Sequence, residues 1–183
     1  TITLIHARGE FLIGQVYVSV PDTLPSYKDY TASWSSSSYK LGPLVKIEAE
    51  EMYTRNDSAI RVRSDRDPSV TPYDTQIQYL NVIDGSSFNK GGQEVTWTFT
   101  VPETALYHMA FKYEQESKYD FPVFRRIAID GQVPFVELDS YLFPYAPEWT
   151  YEVLSGDDGE PFLFLLEEGS HTLTMTVNLE PMR

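Results

Sequence analysis

The second half of the chain is an ordered series of strand phrases separated by turns, and few architectures accommodate that order. Residues 95–101 read VTWTFTV, 105–113 ALYHMAFKY, 124–135 FRRIAIDGQVPF and 161–177 PFLFLLEEGSHTLTMTV. In the first, Val95, Trp97, Phe99 and Val101 share one face and Thr96, Thr98 and Thr100 the other. Alternation with a period of two is the mark of a half-buried strand. Pro102-Glu103 turns the chain, and Tyr107, Met109, Phe111 and Tyr113 then line one face of the next strand. Asp130-Gly131 is a hairpin pair. In HTLTMTV (171–177), Leu173, Met175 and Val177 face inward and the threonines outward. No stretch carries sustained helical periodicity, so the fold class expected is all-β, a β-sandwich.

Charge and composition narrow the function. The chain has 183 residues and a formal net charge of -13, from 27 acidic against 14 basic side chains. Nucleic-acid phosphates and anionic membrane surfaces both call for Lys and Arg, so neither is an expected partner. Neutral sugars, cations and basic partners remain. Cysteine is absent, which removes disulfides, thiolate metal sites and cysteine nucleophiles. No run approaches the roughly 20 apolar residues of a membrane span. Aromatics make up 14% of the chain, with 13 tyrosines, more than a core of this size needs.

The first half is organised differently. Residues 1–20, TITLIHARGEFLIGQVYVSV, hold two strand-like pieces around Arg8-Gly9-Glu10. TITLIHARGEF (1–11) aligns without gaps on TLTMTVNLEPM (172–182), which is either chance alternation or the closing strands of a preceding copy of the same module. On the second reading the chain looks cut from something longer, and FLIGQVYVS (11–19) supplies an edge strand to this sandwich. Residues 21–44, with Pro21, Pro25, Pro43 and Ser35–Ser38, have linker composition. Within them SYKDYTASW predicts a short helix, with Ser26 as N-cap and Asp29 in its first turn. The module proper is expected over 45–183. It opens on a strand, VKIEAE (45–50), has short strands at 60–63 and 78–83, and carries long loops over 52–93 and 139–160.

Taken together, IEAE (47–50), VTWTFTVPETALYHMAFKY and EEGSHTLTMTV resemble the galactose-binding-like jelly rolls of carbohydrate-binding modules in families 6 and 35. The longer frame of FRRIAIDGQVPF, YLFPY (141–145) and GEPFLFLLEEGSHTLTM, with LPSYKDYTAS (24–33) as spacer, resembles a module of very large extracellular solute-binding proteins of bacterial ABC transporters, mostly from sugar-importing Firmicutes. The resemblance implies a jelly-roll sandwich and a non-catalytic carbohydrate-binding accessory module. It also implies an extracellular, cell-surface location, with oligo- or polysaccharide and neighbouring domains of the parent protein as partners. The alternative is a structural spacer without sugar affinity.

Candidate site residues follow from chemistry. An exposed aromatic ring stacks on the C–H face of a sugar while neighbouring polar groups read its hydroxyls. Tyr73, Phe88, Tyr119, Phe121, Tyr145, Trp149 and Tyr151 fall in loop-like stretches. With Arg125 as a polar partner, Tyr119, Phe121, Tyr145, Trp149 and Tyr73 are the expected sugar-binding residues. The competing reading packs these rings onto the sandwich or another domain, and an open cleft at Tyr119, Tyr145 or Trp149 separates the two. Glu48 and Glu50 lie two apart on the expected strand and can offer oxygens to a hard cation. In the resembling modules such a pair helps hold a structural calcium, usually completed by an Asp on the last strand, where FLIGQVYV has Gly14. No phrase presents two acids in an acid–base arrangement. His6, His108 and His171 lack metal-ligand spacing, and no nucleophile elbow or phosphate loop is present, so no enzymatic activity is expected.

Overall fold

The threonine-alternating phrases pair with one another. The computed structural model describes residues 23–34, 38–116 and 119–179. Among them the elements are helix α1 (Tyr27–Ala32), β1 (Thr54–Arg55), β2 (Val62–Arg63), β3 (Val82–Ile83), β4 (Glu94–Val101), β5 (Ala105–Tyr107), β6 (Ala110–Gln115), β7 (Val123–Ile129), a 3-10 turn (Val136–Leu138), β8 (Tyr141–Phe143), β9 (Ala146–Val153), β10 (Phe164–Leu166) and β11 (Gly169–Asn178). One antiparallel sheet has the order β1-β4-β11-β7-β8. Facing it, β10 pairs with β5 and β9 with β6, forming one interrupted second layer. A small β2-β3 ladder stands apart. This is an all-β sandwich of the jelly-roll class expected from the sequence.

The core lies between the layers. Val95, Trp97, Val101, Ile127, Ile129, Leu173 and Val177 are buried from the first sheet, and Leu154, Phe162, Phe164 and Leu166 from the second. Their threonine neighbours point the other way, where Thr96 and Thr174 share a 2.9 Å hydroxyl hydrogen bond across the strands. The Asp130-Gly131 turn has positive φ at both residues, 50° and 76°, as a two-residue hairpin turn requires.

Helix α1 has only six residues, too few to persist alone in water. Ser26 caps it, its Oγ accepting from the Asp29 amide. Its hold on the sandwich is aromatic. The Tyr27 ring lies 4.5 Å from Phe162 and 5.0 Å from Phe135, and Tyr30 lies 5.2 Å from Phe135. Polar contacts fix the same stretch: the Val136 amide donates to the Pro25 carbonyl and the Leu163 amide to Tyr27 Oη. Further on, Leu41 bridges Leu106 in parallel. A Cβ on Gly42 would run into the far end of the Tyr107 ring, so a side chain there would make that ring shift. The described part of the expected linker is therefore docked on the module.

Three readings of the sequence need correction. VKIEAE forms no strand: Val45 and Ile47 pack against the core, but the stretch joins no ladder and turns at Ala49-Glu50. The Ala49 carbonyl is taken instead by the Trp97 indole at 2.9 Å. ALYHMAFKY is split at His108-Met109 because its partner is interrupted, looping out between Leu154 and Phe162 and resuming as β10. The loop expected over 139–160 contains β8 and β9, despite Pro144 and Pro147. Phe88 lies in a loop as expected, and its ring is packed into the core. The edge strand expected from residues 11–19, and the echo in 1–20, lie outside the described residues.

Docking of α1 through its rings has a measurable consequence. Tyr27→Ala is expected to lower stability by about 1–3 kcal/mol in urea unfolding. An unchanged midpoint would show that the helix does not contribute to the folded module.

Candidate functional site

The site grows out of an irregular strand pairing. On β6 the step from Tyr113 to Gln115 is matched on β9 by the longer step from Thr150 back to Ala146. The extra backbone on β9 is Pro147-Glu148-Trp149, and proline suits such a bulge because it has no amide hydrogen to leave unpaired. The bulge lies beside the Pro144-Tyr145 link between β8 and β9, where the two layers meet. It opens a shallow concavity of about 390 Å³ lined by Tyr113, Pro144, Tyr145, Glu148, Thr150 and Tyr151, among others. Glu152 also lines it. Thr150 and Glu152 are spaced by two on β9, opposite Tyr113 and Phe111, and Glu148 joins the same lining from the bulge.

Aromatic rings frame this opening. Tyr119 is 83% exposed and its ring stands edge-on to Tyr145 at 5.4 Å. Tyr151 is 68% exposed, with the Lys112 ammonium 5.4 Å from its ring centre. Phe121 is 60% exposed, and its carbonyl accepts from the Gln115 amide side chain. Deeper in, Tyr113 Oη donates to the Pro144 carbonyl at 3.0 Å, and Tyr141 Oη donates to Glu152 at 2.7 Å. Burial pushes the Tyr113 phenol up to about 12, with Glu152 and Tyr141 adding to the effect. Tyr113 is therefore a neutral hydrogen-bonding group at any physiological pH.

The residues expected to bind sugar divide. Tyr119 and Tyr145 come together at the concavity, and Phe121 is displayed near Gln115 on the adjoining strand end. Trp149 is half-buried on the bulge and is not part of the lining. Tyr73 lines a separate, very small indentation with Asp65, Arg66 and Asn81 and shares no lining residue with the concavity. Arg125 alternates inward with Ile127 and Ile129, its guanidinium 5.3 Å from the Phe88 ring and bonded to the Phe124 and Phe88 carbonyls. Burial pulls its pKa down to about 10. The sequence reading passed over Tyr113, Glu148, Thr150 and Glu152; the alternation in EWTYE was the available signal.

No family model matches the chain, and no curated protein does. Solved structures do resemble it. The Podospora anserina GH26-CBM35 β-(1,4)-mannanase is 16% identical with a TM-score of 0.46, covering 73% of this chain and 24% of its own. A family 35 carbohydrate-binding module from an environmental isolate is 10% identical with a TM-score of 0.41, covering 71% of this chain and 77% of that one. A Paenibacillus sp. cycloisomaltooligosaccharide glucanotransferase, in complex with cycloisomaltoheptaose, is 20% identical with a TM-score of 0.44, covering 84% of this chain and 21% of that one. At such identities and scores these likenesses say nothing about ligand or activity.

At the expected cation pair, Glu48 is ion-paired with Lys46, and Lys46 also donates to Thr71 Oγ1. Glu50 has a buried Oε2 with no hydrogen-bond partner, and burial, with Glu48 and Glu51 nearby, holds its carboxyl above the usual range. Among the described residues no third acidic or imidazole side chain joins them in a metal-holding group. Glu50 thus offers an oxygen that a cation would satisfy, while most of the six to eight ligands calcium takes must come from elsewhere.

His171 is bound at both ring nitrogens, to the Asp130 carboxylate at 2.7 Å and the Glu167 carbonyl at 2.7 Å. Burial opposes its charge, but these two acceptors outweigh burial and raise its pKa. Asp130 is lowered: burial opposes its charge too, and hydrogen bonds from His171 and the Thr172 amide prevail. His171 therefore stabilises the fold fully below its unfolded value of about 6.5, and that contribution fades as pH rises through its raised folded value. The Asp130 contribution is lost as pH falls through its lowered value. Asp130→Asn keeps a residue that tolerates the positive φ. The variant is expected to melt below wild type in the window between those values, with the gap narrowing above it. A gap independent of pH would contradict the ion pair.

Proposed function

We propose that this chain is a non-catalytic carbohydrate-binding module whose ligand lies in the concavity between β8 and β9. The observation that carries the reading is the convergence there of exposed or lining tyrosines with carboxylate, hydroxyl and backbone carbonyl groups. Tyr119, Tyr145 and Tyr151 provide flat apolar faces; Glu148, Thr150 and Glu152 provide acceptors and a hydroxyl for sugar hydroxyls. An open recess of this size suits one or two sugar rings gripped from one side, hence weak binding. Phe121 extends the surface. Tyr73 and Arg125 stand apart from it.

The wider setting is the one its phrases suggest: an accessory module of an extracellular solute-binding protein of a bacterial sugar ABC transporter, at the cell surface. Calcium belongs to the same proposal. An ion at Glu48 and Glu50 would satisfy the unpaired Oε2 and draw Glu48 away from Lys46. The docked α1 favours a second role as spacer, because a helix fixed to the sandwich gives the preceding chain a defined exit. Among the described residues, no helix is long and apolar enough to cross a membrane.

Calorimetry with a panel of oligosaccharides tests the binding reading. For a saccharide that binds, Tyr145→Ala and Tyr119→Ala are each expected to weaken affinity about three- to tenfold, with Tyr73→Ala unchanged. Absence of binding across the panel would leave the spacer role alone. For the metal, calcium added to chelator-treated protein is expected to raise the melting temperature, and Glu50→Gln to remove that rise. A melting temperature indifferent to calcium would remove the ion from the proposal.

A further inference from the structure

The charge of the concavity constrains what kind of sugar it takes. Two carboxylates, Glu148 and Glu152, are among its lining residues, and no lysine, arginine or histidine is. Tyr141 occupies Glu152 Oε1. Glu148 is exposed at the bulge. A uronate entering the recess would bring a third carboxylate against these two, with Lys112 at the rim already held by the Ser69 carbonyl and the Tyr151 ring, while a protonated amine would be attracted by both. The tyrosine rings act in the same direction. Their faces carry negative quadrupole charge and attract ammonium groups. The molecule already shows this at the rim, where the Lys112 ammonium sits 5.4 Å from the centre of the Tyr151 ring. Tyr113 and Tyr145 offer two more rings in the lining.

We infer that the concavity selects saccharides carrying free, protonated amino groups, glucosaminide oligomers being the simplest class, over their N-acylated and uronic counterparts. This inference rests on the reading of the concavity as a sugar site. One sugar ring stacks on Tyr145 and the next on Tyr119, whose ring stands at 60° to that of Tyr145. The sugar ammonium sits between the Glu148 carboxylate and the face of a lining tyrosine. An acyl group on that nitrogen removes the charge and adds bulk beside Glu148.

The test is calorimetry on the full chain at about pH 6, where a primary sugar amine is largely protonated. Four probes are compared at equal ionic strength: a glucosamine hexamer, an N-acetylglucosamine hexamer, a galacturonate hexamer and spermidine. The glucosamine hexamer is expected to bind about threefold or more tighter than the N-acetylated one, with the galacturonate weakest. Glu148→Gln with Glu152→Gln keeps an acceptor for Tyr141 while removing both charges, and is expected to abolish the preference. Asp157→Asn, on the 156–159 turn that contributes no lining residue, controls for the overall negative charge and is expected to preserve it. N-acetylated oligomer binding as tightly as the amine, or a preference that survives the double substitution, overturns the inference and leaves the sugar site standing. Spermidine matching the glucosamine hexamer also overturns it, since the recess would then read charge alone. If no saccharide of any charge binds, the sugar site falls and the inference with it.

Discussion

The structure depends on β11 being hydrogen-bonded along both edges, to β4 on one side and β7 on the other. That double pairing turns three separately marginal strands into a platform with one apolar face. The second layer has no such spine. It is two short ladders that hold their place by burying Phe162, Phe164 and Leu166 against the first sheet. A layer held mainly by packing tolerates interruption. The break at His108-Met109, the excursion between Leu154 and Phe162 and the bulge on β9 all fall there. The candidate site is one of these irregularities, supported from below by a regular sheet. Binding groups are commonly placed so, on irregular backbone positioned by a rigid scaffold.

Aromatic residues serve two distinct ends. Phe135, Phe162, Phe164, Tyr27 and Tyr30 form a continuous ring cluster that closes one region of the core and docks α1. Phe111, Tyr113, Tyr141 and Phe143 form a second cluster where β6 meets β8. Tyr113 and Tyr141 end this second cluster in hydroxyls: Tyr113 lines the concavity, and Tyr141 reaches it through its hydrogen bond to Glu152. The transition from core to site is thus made within single side chains, apolar at the ring and polar at the tip. Tyr119, Tyr145 and Tyr151 continue outward to solvent.

Much of the fold was legible in the sequence because its strands declare themselves by alternation. VTWTFTV and HTLTMTV became β4 and β11, Asp130-Gly131 became the hairpin turn, and Ser26 capped a helix where the spacing placed one. The failures share a physical cause. VKIEAE alternates correctly yet has no neighbour to pair with, and a single strand's pattern says nothing about the availability of a partner. YLFPYAPEWTY reads as loop because Pro144 and Pro147 are strand breakers, whereas both sit where a missing amide hydrogen costs little: one at a link, one at a bulge. That misreading hid the site. Tyr119 and Tyr145 were found as surplus aromatics, but Glu148, Thr150 and Glu152 share an opening only if β9 is a strand. Arg125 shows the converse. In FRRIAI it alternates with Ile127 and Ile129, the buried face, and its guanidinium is taken up there by Phe88 and two backbone carbonyls rather than offered to a ligand.

The most direct measure of the central claim is a heteronuclear NMR titration of the full chain with the tightest-binding saccharide of a screened panel. The account expects chemical-shift changes concentrated on the amides of Tyr113, Tyr145, Glu148, Thr150 and Tyr151 and around Tyr119. Changes concentrated instead on the 64–81 loops around Tyr73, or spread across the threonine face of β4 and β11, would contradict it.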